Sequence, residues 1–310
     1  MSALQDAFGS RFCSRRVLVT GATGFIGAHL CQALVSLGAN VSGVSRGIRR
    51  PAFRSDYQLH TADMTDPAAV RQLILRLSPE IIFHLAGVVT GRQELDLVLP
   101  ATKNNLLTTI HLLLGAVDAG CERIVAVGSS QEPVNGTLPS SPYAAAKAAA
   151  SVYCAMFHAI YGLPVVVVRP HVTYGPGQDS SKLIPYVITS SLRGEAPRVS
   201  TGGVTYDFVF VSDVVFGLLK AAAHEDAVGK SFDLGTGTGT KVQDVVQQVA
   251  SLVGGGVRPI VGGEKDRIGE SHRVADCEPT MRAIGWVPAR ALTDGLPETI
   301  AWYRDHANDQ

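Results

Sequence analysis

Val17-Leu18-Val19-Thr20-Gly21-Ala22-Thr23-Gly24-Phe25-Ile26-Gly27 is a short β-branched run that ends in glycines at every third position, with an amphipathic helix pattern close behind. The order predicts a strand, a tight turn and a helix. The first glycine permits the turn, the second lets the backbone approach a pyrophosphate, and the third lets helix pack on strand. Phosphate oxygens then face the first amides of the helix. Glycines alone are weak evidence, because with 32 of them in 310 residues about 0.3 such triplets arise by chance. The strand before and the helix after turn the pattern into a dinucleotide-binding start, with a structural turn as the alternative.

A chain of this length buries a sizeable core and usually divides into a larger and a smaller domain. Basic and acidic side chains balance at 27 each, which removes the electrostatic footprint of a protein that binds nucleic acid polymers or anionic membranes. An anionic ligand must then be met by a few placed groups. The five cysteines, Cys13, Cys31, Cys121, Cys154 and Cys277, are scattered and form no C-x-x-C pair. Neither a disulfide framework nor a zinc site is indicated, and a reducing, cytoplasmic setting is expected. Arg15-Arg16 runs into the first strand without an apolar leader, and no stretch approaches the ~20 apolar residues of a membrane span. No export signal or membrane partner is read.

Strand-like runs at 17–20, 39–44, 81–85, 123–127 and 164–168 alternate with helix-length segments at 25–37, 67–77, 103–119 and 143–161. Such alternation means right-handed βαβ units, an α/β doubly wound parallel sheet of Rossmann type, with ligands at the C-terminal strand ends. The expected division is a dinucleotide-binding domain over 12–172, its sheet completed from within 204–245, and a smaller α+β substrate lobe from 173–203 and 246–310. Within the lobe 183–193 reads as a helix, 207–221 as strand then helix, and 257–261 as a strand.

Tyr143 and Lys147 stand four apart in an Ala-rich segment, so one helical turn puts them on one face. A free tyrosine has a pKa near 10, and an ammonium at roughly 4 Å and effective dielectric near 20 contributes up to ~4 kcal/mol, or about 3 pH units. Tyr143 is therefore expected to exchange a proton near neutral pH.

With Val127-Gly128-Ser129-Ser130-Gln131-Glu132-Pro133 at the end of the strand-like run 123–127, the glycine triplet, strand-end Ser and Y-x-x-x-K follow in one order. In that order they resemble the extended short-chain dehydrogenase/reductase family, in its nucleotide-sugar epimerase/dehydratase branch. Supporting matches are Asp63-Met64, His84-Leu85-Ala86-Gly87, Asn105, Arg169-Pro170 leading to Tyr174-Gly175-Pro176-Gly177, Asp207-Phe208, Asp213, Arg267-Ile268-Gly269-Glu270, Ala275-Asp276 and Gly285-Trp286-Val287-Pro288. G-S-S-x-E and R-P-x-x-x-x-G-P-G-Q are most similar to the GDP-4-keto-6-deoxymannose reductases.

The resemblance implies that Ser129 hydrogen-bonds a sugar carbonyl, that Tyr143 gives or takes its proton, and that Lys147 holds the nicotinamide ribose. It implies a pyrophosphate seat at Gly21, Gly24 and Gly27, an adenine contact from Asp63, and further cofactor contacts from Thr23, Phe25, Ile26, Met64, Leu85, Ala86, Gly87, Asn105 and Pro170. Sugar-nucleotide contacts fall on Val88, Ser130, Gln131, His171, Val172, Lys182, Tyr206 and Arg267, the last pairing with the diphosphate. For Ser130 the favoured reading is a residue that satisfies its own loop, and His84 and His171 read as packed or supporting histidines rather than catalysts. No metal is implied. The apolar stripe Leu106, Leu107, Ile110, Leu113, Leu114 and Val117, with Val152, Met156 and Ile160 on the Tyr-bearing helix, is core or the interface of a homodimer.

Some positions depart from the family pattern. The usual Asn of R-x-x-N is Val172, the usual Arg before D-F is Tyr206, and the run from Ser129 to Tyr143 is shorter than in the family. At the end of the second strand, where NAD-selective enzymes carry a carboxylate, stand Ser45 and Arg46, with Arg49 and Arg50 following. A hydroxyl and a guanidinium accept a 2′-phosphate that a carboxylate would repel, which favours NADP(H), with NAD(H) as the alternative. The family's place for a dehydrating acid is Gln131, which cannot take a proton. The reading is therefore NADPH-dependent reduction of a nucleotide-linked 4-keto-6-deoxyhexose, with a nucleotide-sugar 4-epimerase that retains NAD, or a non-catalytic NADP(H) sensor, as alternatives.

Overall fold

A computed structural model of the chain describes residues 2–47, 56–134, 136–200, 203–262 and 272–306. Two compact units emerge, one of residues 1–169, 215–232 and 279–286, the other of 170–214, 233–278 and 287–310.

The first unit contains helix α1 (Ser2–Phe8), then β1 (Arg16–Thr20), α2 (Phe25–Ser36), β2 (Asn40–Ser45), β3 (Gln58–Thr61), α3 (Pro67–Leu77) and β4 (Ile81–His84). It continues through α4 (Val98–Ala101), a π-helical turn (Thr102–Leu107), α5 (Thr108–Ala119), β5 (Arg123–Val127), α6 (Pro142–Tyr161) and β6 (Val165–Pro170). Strands β1 to β6 pair in parallel, and with β10 (Ser231–Leu234) at the far edge they give the order β10-β6-β5-β4-β1-β2-β3. The order reverses between β1 and β4, which is where a doubly wound sheet opens a crevice at its strand ends. Thr20 and His84, the last residues of those two strands, are register partners.

The sheet residues Leu18, Ile82, Ile124 and Val167 are buried against Val70, Leu73 and Ile74 of α3 and Leu112, Leu113 and Ala116 of α5. Helix α3 starts cleanly because Asp66 caps it, its carboxylate accepting the Ala68 and Ala69 amides, with Pro67 in the first helical position.

The second unit holds β7 (Val172–Tyr174), α7 (Leu183–Leu192), β8 (Arg198–Val199), β9 (Thr205–Phe210), β11 (Gly239–Lys241), α9 (Val242–Val253), β12 (Ile260–Val261) and α11 (Leu292–Asp305). Helices α8 (Val211–Ala223) and α10 (Glu278–Ile284) complete the chain order. Strands β11-β9-β7 form a separate three-stranded sheet and β12-β8 a parallel pair. Tyr174, Phe208, Phe210, Val245, Val246, Val249, Leu296 and Tyr303 are buried together as its core.

Several local expectations need correction. From 204–245 only β10 lies in the seven-stranded sheet, because β9 pairs with β7 and β11. The helix anticipated over 103–119 starts with the π turn, and the strand anticipated over 257–261 shortens to Ile260–Val261. The edge strand β3 stood in none of the five apolar runs, since three of its four residues are exposed.

Candidate functional site

The glycine loop is built by close approaches that only hydrogen atoms allow. Gly21 has φ +71°, and a Cβ there would fall 2.9 Å from the Ala86 amide nitrogen. A Cβ on Gly27 would fall 2.1 Å from the Gly21 carbonyl oxygen, so the third glycine is what lets α2 sit on the turn. Gly24 caps α2 in an extended conformation with no side-chain hydrogen bond to the first helical amides. The Gly24 amide closes the turn on the Gly21 carbonyl at 2.9 Å, the first amides of α2 meet no side-chain cap, and the residues present fit a pyrophosphate.

At the end of β2, Ser45 and Arg46 are engaged locally. The Ser45 hydroxyl donates to the Gly47 carbonyl at 2.5 Å, and Arg46 Nη1 donates to Asn104 Oδ1 at 2.9 Å. Asp63 Oδ1 accepts the amide and hydroxyl of Thr65 at 2.9 and 2.8 Å. Those two bonds hold its carboxyl below the ordinary range, helped by Lys103 and Arg46. Lys103 was not anticipated, because it arrives from the π turn rather than from β2. Met64 is buried beside Asp63. Arg49 and Arg50 lie outside the described residues.

The end of β4 is fixed by a one-way chain of hydrogen bonds. Thr20 Oγ1 accepts the Ala86 amide at 3.2 Å, which leaves its own proton for His84 Nδ1 at 2.8 Å. His84 then carries its proton on Nε2 and donates to Thr109 Oγ1 at 3.2 Å, and Thr109 donates to the Asn105 carbonyl at 2.8 Å. Burial, with the Lys147 charge adding to it, pushes the His84 pKa down to about 3, so this histidine stays neutral. Asn105 is itself buried and clasps Val88 from both sides, accepting its amide at 3.1 Å and donating to its carbonyl at 3.2 Å. Gly87 has no side chain because a Cβ would lie 2.5 Å from Asn105 Oδ1. Leu85, Ala86, Gly87 and Val88 are therefore held as one loop beside the glycine turn.

Helix α6 opens on Ser141, whose hydroxyl accepts the Ala144 amide at 3.1 Å, followed by Pro142. One turn then presents Tyr143 and Lys147, both buried. The Ser129 hydroxyl accepts the Gln131 amide at 3.1 Å and hydrogen-bonds Tyr143, so its own proton is available to the phenolic oxygen. Burial pushes the Tyr143 pKa up to about 12, with the Ser129 bond opposing and Glu132 reinforcing the rise. The anticipated lowering by Lys147 is corrected: its Nζ donates to the Val127 carbonyl at 2.6 Å, and desolvation of the phenol outweighs pair attraction. Burial also lowers the Lys147 pKa.

Ser130 and Gln131 are half-buried on the same loop. Glu132, the residue after Gln131, turns inward and is 4% exposed. Its Oε1 accepts the Ser129 amide at 2.7 Å. The signal was there in G-S-S-x-E, but the direction of the side chain was not.

In the second unit, buried Pro170, the last residue of β6, and buried His171 lead into β7, Val172 and Tyr206 are half-buried on paired strands, and Lys182 precedes α7. Asp207 is fully buried and accepts four bonds, from the amide and hydroxyl of Thr236 and the amides of Gly237 and Ala275, at 2.7 to 3.2 Å. Asp213 likewise accepts the Ala289 and Arg290 amides. These two carboxylates organise loops. Arg267 lies outside the described residues. Among the described residues no group of three His, Cys, Asp or Glu is placed to hold a metal, and no helix is long and apolar enough to cross a membrane.

Residues 17–235 match the model of the NAD dependent epimerase/dehydratase family. A UDP-glucose 4-epimerase of Mycolicibacterium smegmatis is 29% identical over 94% of this chain and 99% of its own length. Among solved structures, UDP-glucose 4-epimerase of Thermotoga maritima with UDP-glucose aligns at TM-score 0.86 and 25% identity, over 94% of this chain and 99% of that one. MoeE5, in complex with UDP-glucose and NAD, aligns at TM-score 0.83 and 30% identity, over 94% of this chain and 99% of that one. The family match takes in the glycine turn, the loop after β4 and the Ser-Tyr-Lys cluster after β5 within more than two thirds of the sequence, and this chain belongs to the NAD dependent epimerase/dehydratase family.

Proposed function

We propose that this protein reduces a nucleotide-linked 4-keto-6-deoxyhexose at carbon 4, with NADPH as the preferred reductant. The carrying observation is the end of β2, where Ser45 and Arg46 stand in place of a carboxylate and Lys103 adds a second cation near Asp63. When bound, the dinucleotide supplies hydride to carbon 4. Ser129 hydrogen-bonds the carbonyl oxygen there, Tyr143 gives that oxygen its proton, and Lys147 holds the nicotinamide ribose. Sugar contacts are assigned to Val88, Ser130, Gln131, His171, Val172, Lys182, Tyr206 and Arg267. Elimination at carbons 5 and 6 is disfavoured, because Gln131 cannot carry a proton and the Glu132 carboxylate is bound to the Ser129 amide.

A second reading, 4-epimerisation of a nucleotide sugar with retained NAD, draws support from the similarity to UDP-glucose 4-epimerases and from NAD in the MoeE5 complex. The local bonds of Ser45 and Arg46 favour it too, since they must be exchanged before a 2′-phosphate is gripped. Incubation with UDP-, TDP-, GDP- and CDP-sugars, 4-keto-6-deoxy forms included, separates the readings. Reduction consumes NADPH absorbance in step with product. Epimerisation interconverts sugars with no net change in absorbance and no added NADPH.

On the first reading NADPH binds ten- to a hundredfold more tightly than NADH, the worth of one charge-assisted contact of roughly 1.5–3 kcal/mol. Arg46→Ala erases that difference in a fluorescence titration. Equal affinities for the wild-type protein, or NAD copurifying with it, would promote the epimerase.

A homodimer belongs to the same proposal. Leu107, Leu114 and Val117, near or on α5, and Val152, Tyr153 and Ile160 on α6 are exposed apolar side chains at 38–67%. A two-fold axis pairing these helices would bury them. Light scattering at micromolar concentration is expected to give twice the chain mass, and a monomer would contradict it.

A further inference from the structure

Glu132 is an acidic side chain buried in the loop after β5, at 4% exposure. Its Oε1 accepts the Ser129 amide at 2.7 Å, and the Ser151 hydroxyl of α6 hydrogen-bonds the same carboxylate. The approach is close enough that a Cβ on Gly128 would lie 2.3 Å from Oε1. That residue is a glycine so that the carboxylate can reach under the loop. Charged and titratable groups face it from each neighbouring element: Tyr143, Lys147 and Cys154 on α6, and Arg169 on β6. Burial pushes the Glu132 carboxyl above the ordinary carboxylate range, and the hydrogen bonds from Ser151 and the Ser129 amide, with the charges of Arg169 and Lys147, oppose that rise and favour the carboxylate.

We propose that Glu132 is a positioning residue of the Ser129–Tyr143–Lys147 cluster, holding Ser129 by its backbone amide and fixing the charge balance between the phenol and the ammonium. The two duties fall on one group because the carboxylate that accepts the Ser129 amide also lies within electrostatic reach of both Tyr143 and Lys147 on α6. Its negative charge opposes phenolate on Tyr143 and favours ammonium on Lys147. This rests on reading Tyr143 as the proton-transferring group, and the titration arm of the test needs no substrate.

Protein labelled with ¹³C at the tyrosine ring carbon that bears oxygen reports phenol ionisation, with Tyr143→Phe used to assign the signal. Glu132→Gln keeps the shape and the acceptor for the Ser129 amide while removing the charge. It is expected to lower the midpoint of the Tyr143 titration by roughly one pH unit, a tenfold higher phenolate fraction well below the midpoint. Glu132→Asp keeps the charge but withdraws it by one methylene from the Ser129 amide. It is expected to leave the titration near wild type while lowering kcat more than KM in the NADPH assay. Unchanged Tyr143 titration in folded Glu132→Gln protein overturns the proposal. If instead Tyr143→Phe remains fully active while the titration shifts as stated, the role of Tyr143 fails and that of Glu132 as its charge partner stands.

Discussion

Tyr143→Phe is expected to lower turnover by about 10²–10⁴-fold while leaving dinucleotide and sugar dissociation constants nearly unchanged. The substitution removes one oxygen from a fully packed ring, and the ring alone keeps the helix face filled. What it deletes is the phenolic oxygen to which the Ser129 hydroxyl is hydrogen-bonded. Ser129→Ala, which removes a donor to the reacting oxygen, is expected to cost less, on the order of 10²–10³-fold. Steady-state rates on the substrate found by the sugar panel, together with calorimetric titration of each ligand, check both. A Tyr143→Phe variant at near wild-type rate would move the chemistry elsewhere in the chain. Because burial pushes the phenol up to about 12, Tyr143 is protonated across the neutral range in the unliganded protein. It is ready to donate rather than to accept, which suits reduction of a carbonyl.

Gly27→Ala is expected to weaken dinucleotide binding by at least about a hundredfold, equivalent to about 2.7 kcal/mol. The added Cβ would lie 2.1 Å from the Gly21 carbonyl oxygen and 2.9 Å from its carbonyl carbon. Both are backbone atoms of the turn, so no flexible side chain can give way, and α2 must move off β1. Gly24→Ala makes a graded control, because its nearest atom is the same Gly21 oxygen at 3.1 Å. Fluorescence titration with NADPH and a thermal melt distinguish lost grip from lost fold. Equal affinity for wild type and Gly27→Ala would remove the glycine turn from the binding site.

Residues that act through local backbone geometry were legible from the sequence. The glycine spacing, the one-turn separation of Tyr143 and Lys147, and the alternation of strands with helices each follow from periodicities of the chain itself. What stayed hidden depends on tertiary surroundings. The electrostatics of Tyr143 were reckoned as an isolated pair in a uniform dielectric, and the site reverses the sign because the phenol is desolvated while Lys147 turns to the Val127 carbonyl. Glu132 carries no periodic mark, and its inward turn follows from the absence of a side chain on Gly128. Lys103 comes to the vicinity of Asp63 from the π turn that follows α4, a feature no helical periodicity marks. That turn holds Asn105, whose three side-chain bonds to Val88 and Ala101 no helical pattern announces.

The π turn also bears on how chains of this kind can change length. Its wider hydrogen-bonded rings accommodate one residue beyond what an α-helix needs over the same rise. A single deletion within Thr102–Leu107 can close the turn into regular helix with the flanking helices still in phase. The same deletion inside α5 would rotate every later side chain by about 100° and pull Leu112, Leu113 and Ala116 out of the core. Thr102–Leu107 is thus a segment where an insertion can be gained or lost without disturbing the scaffold, and what such an event alters is the clasp on Val88.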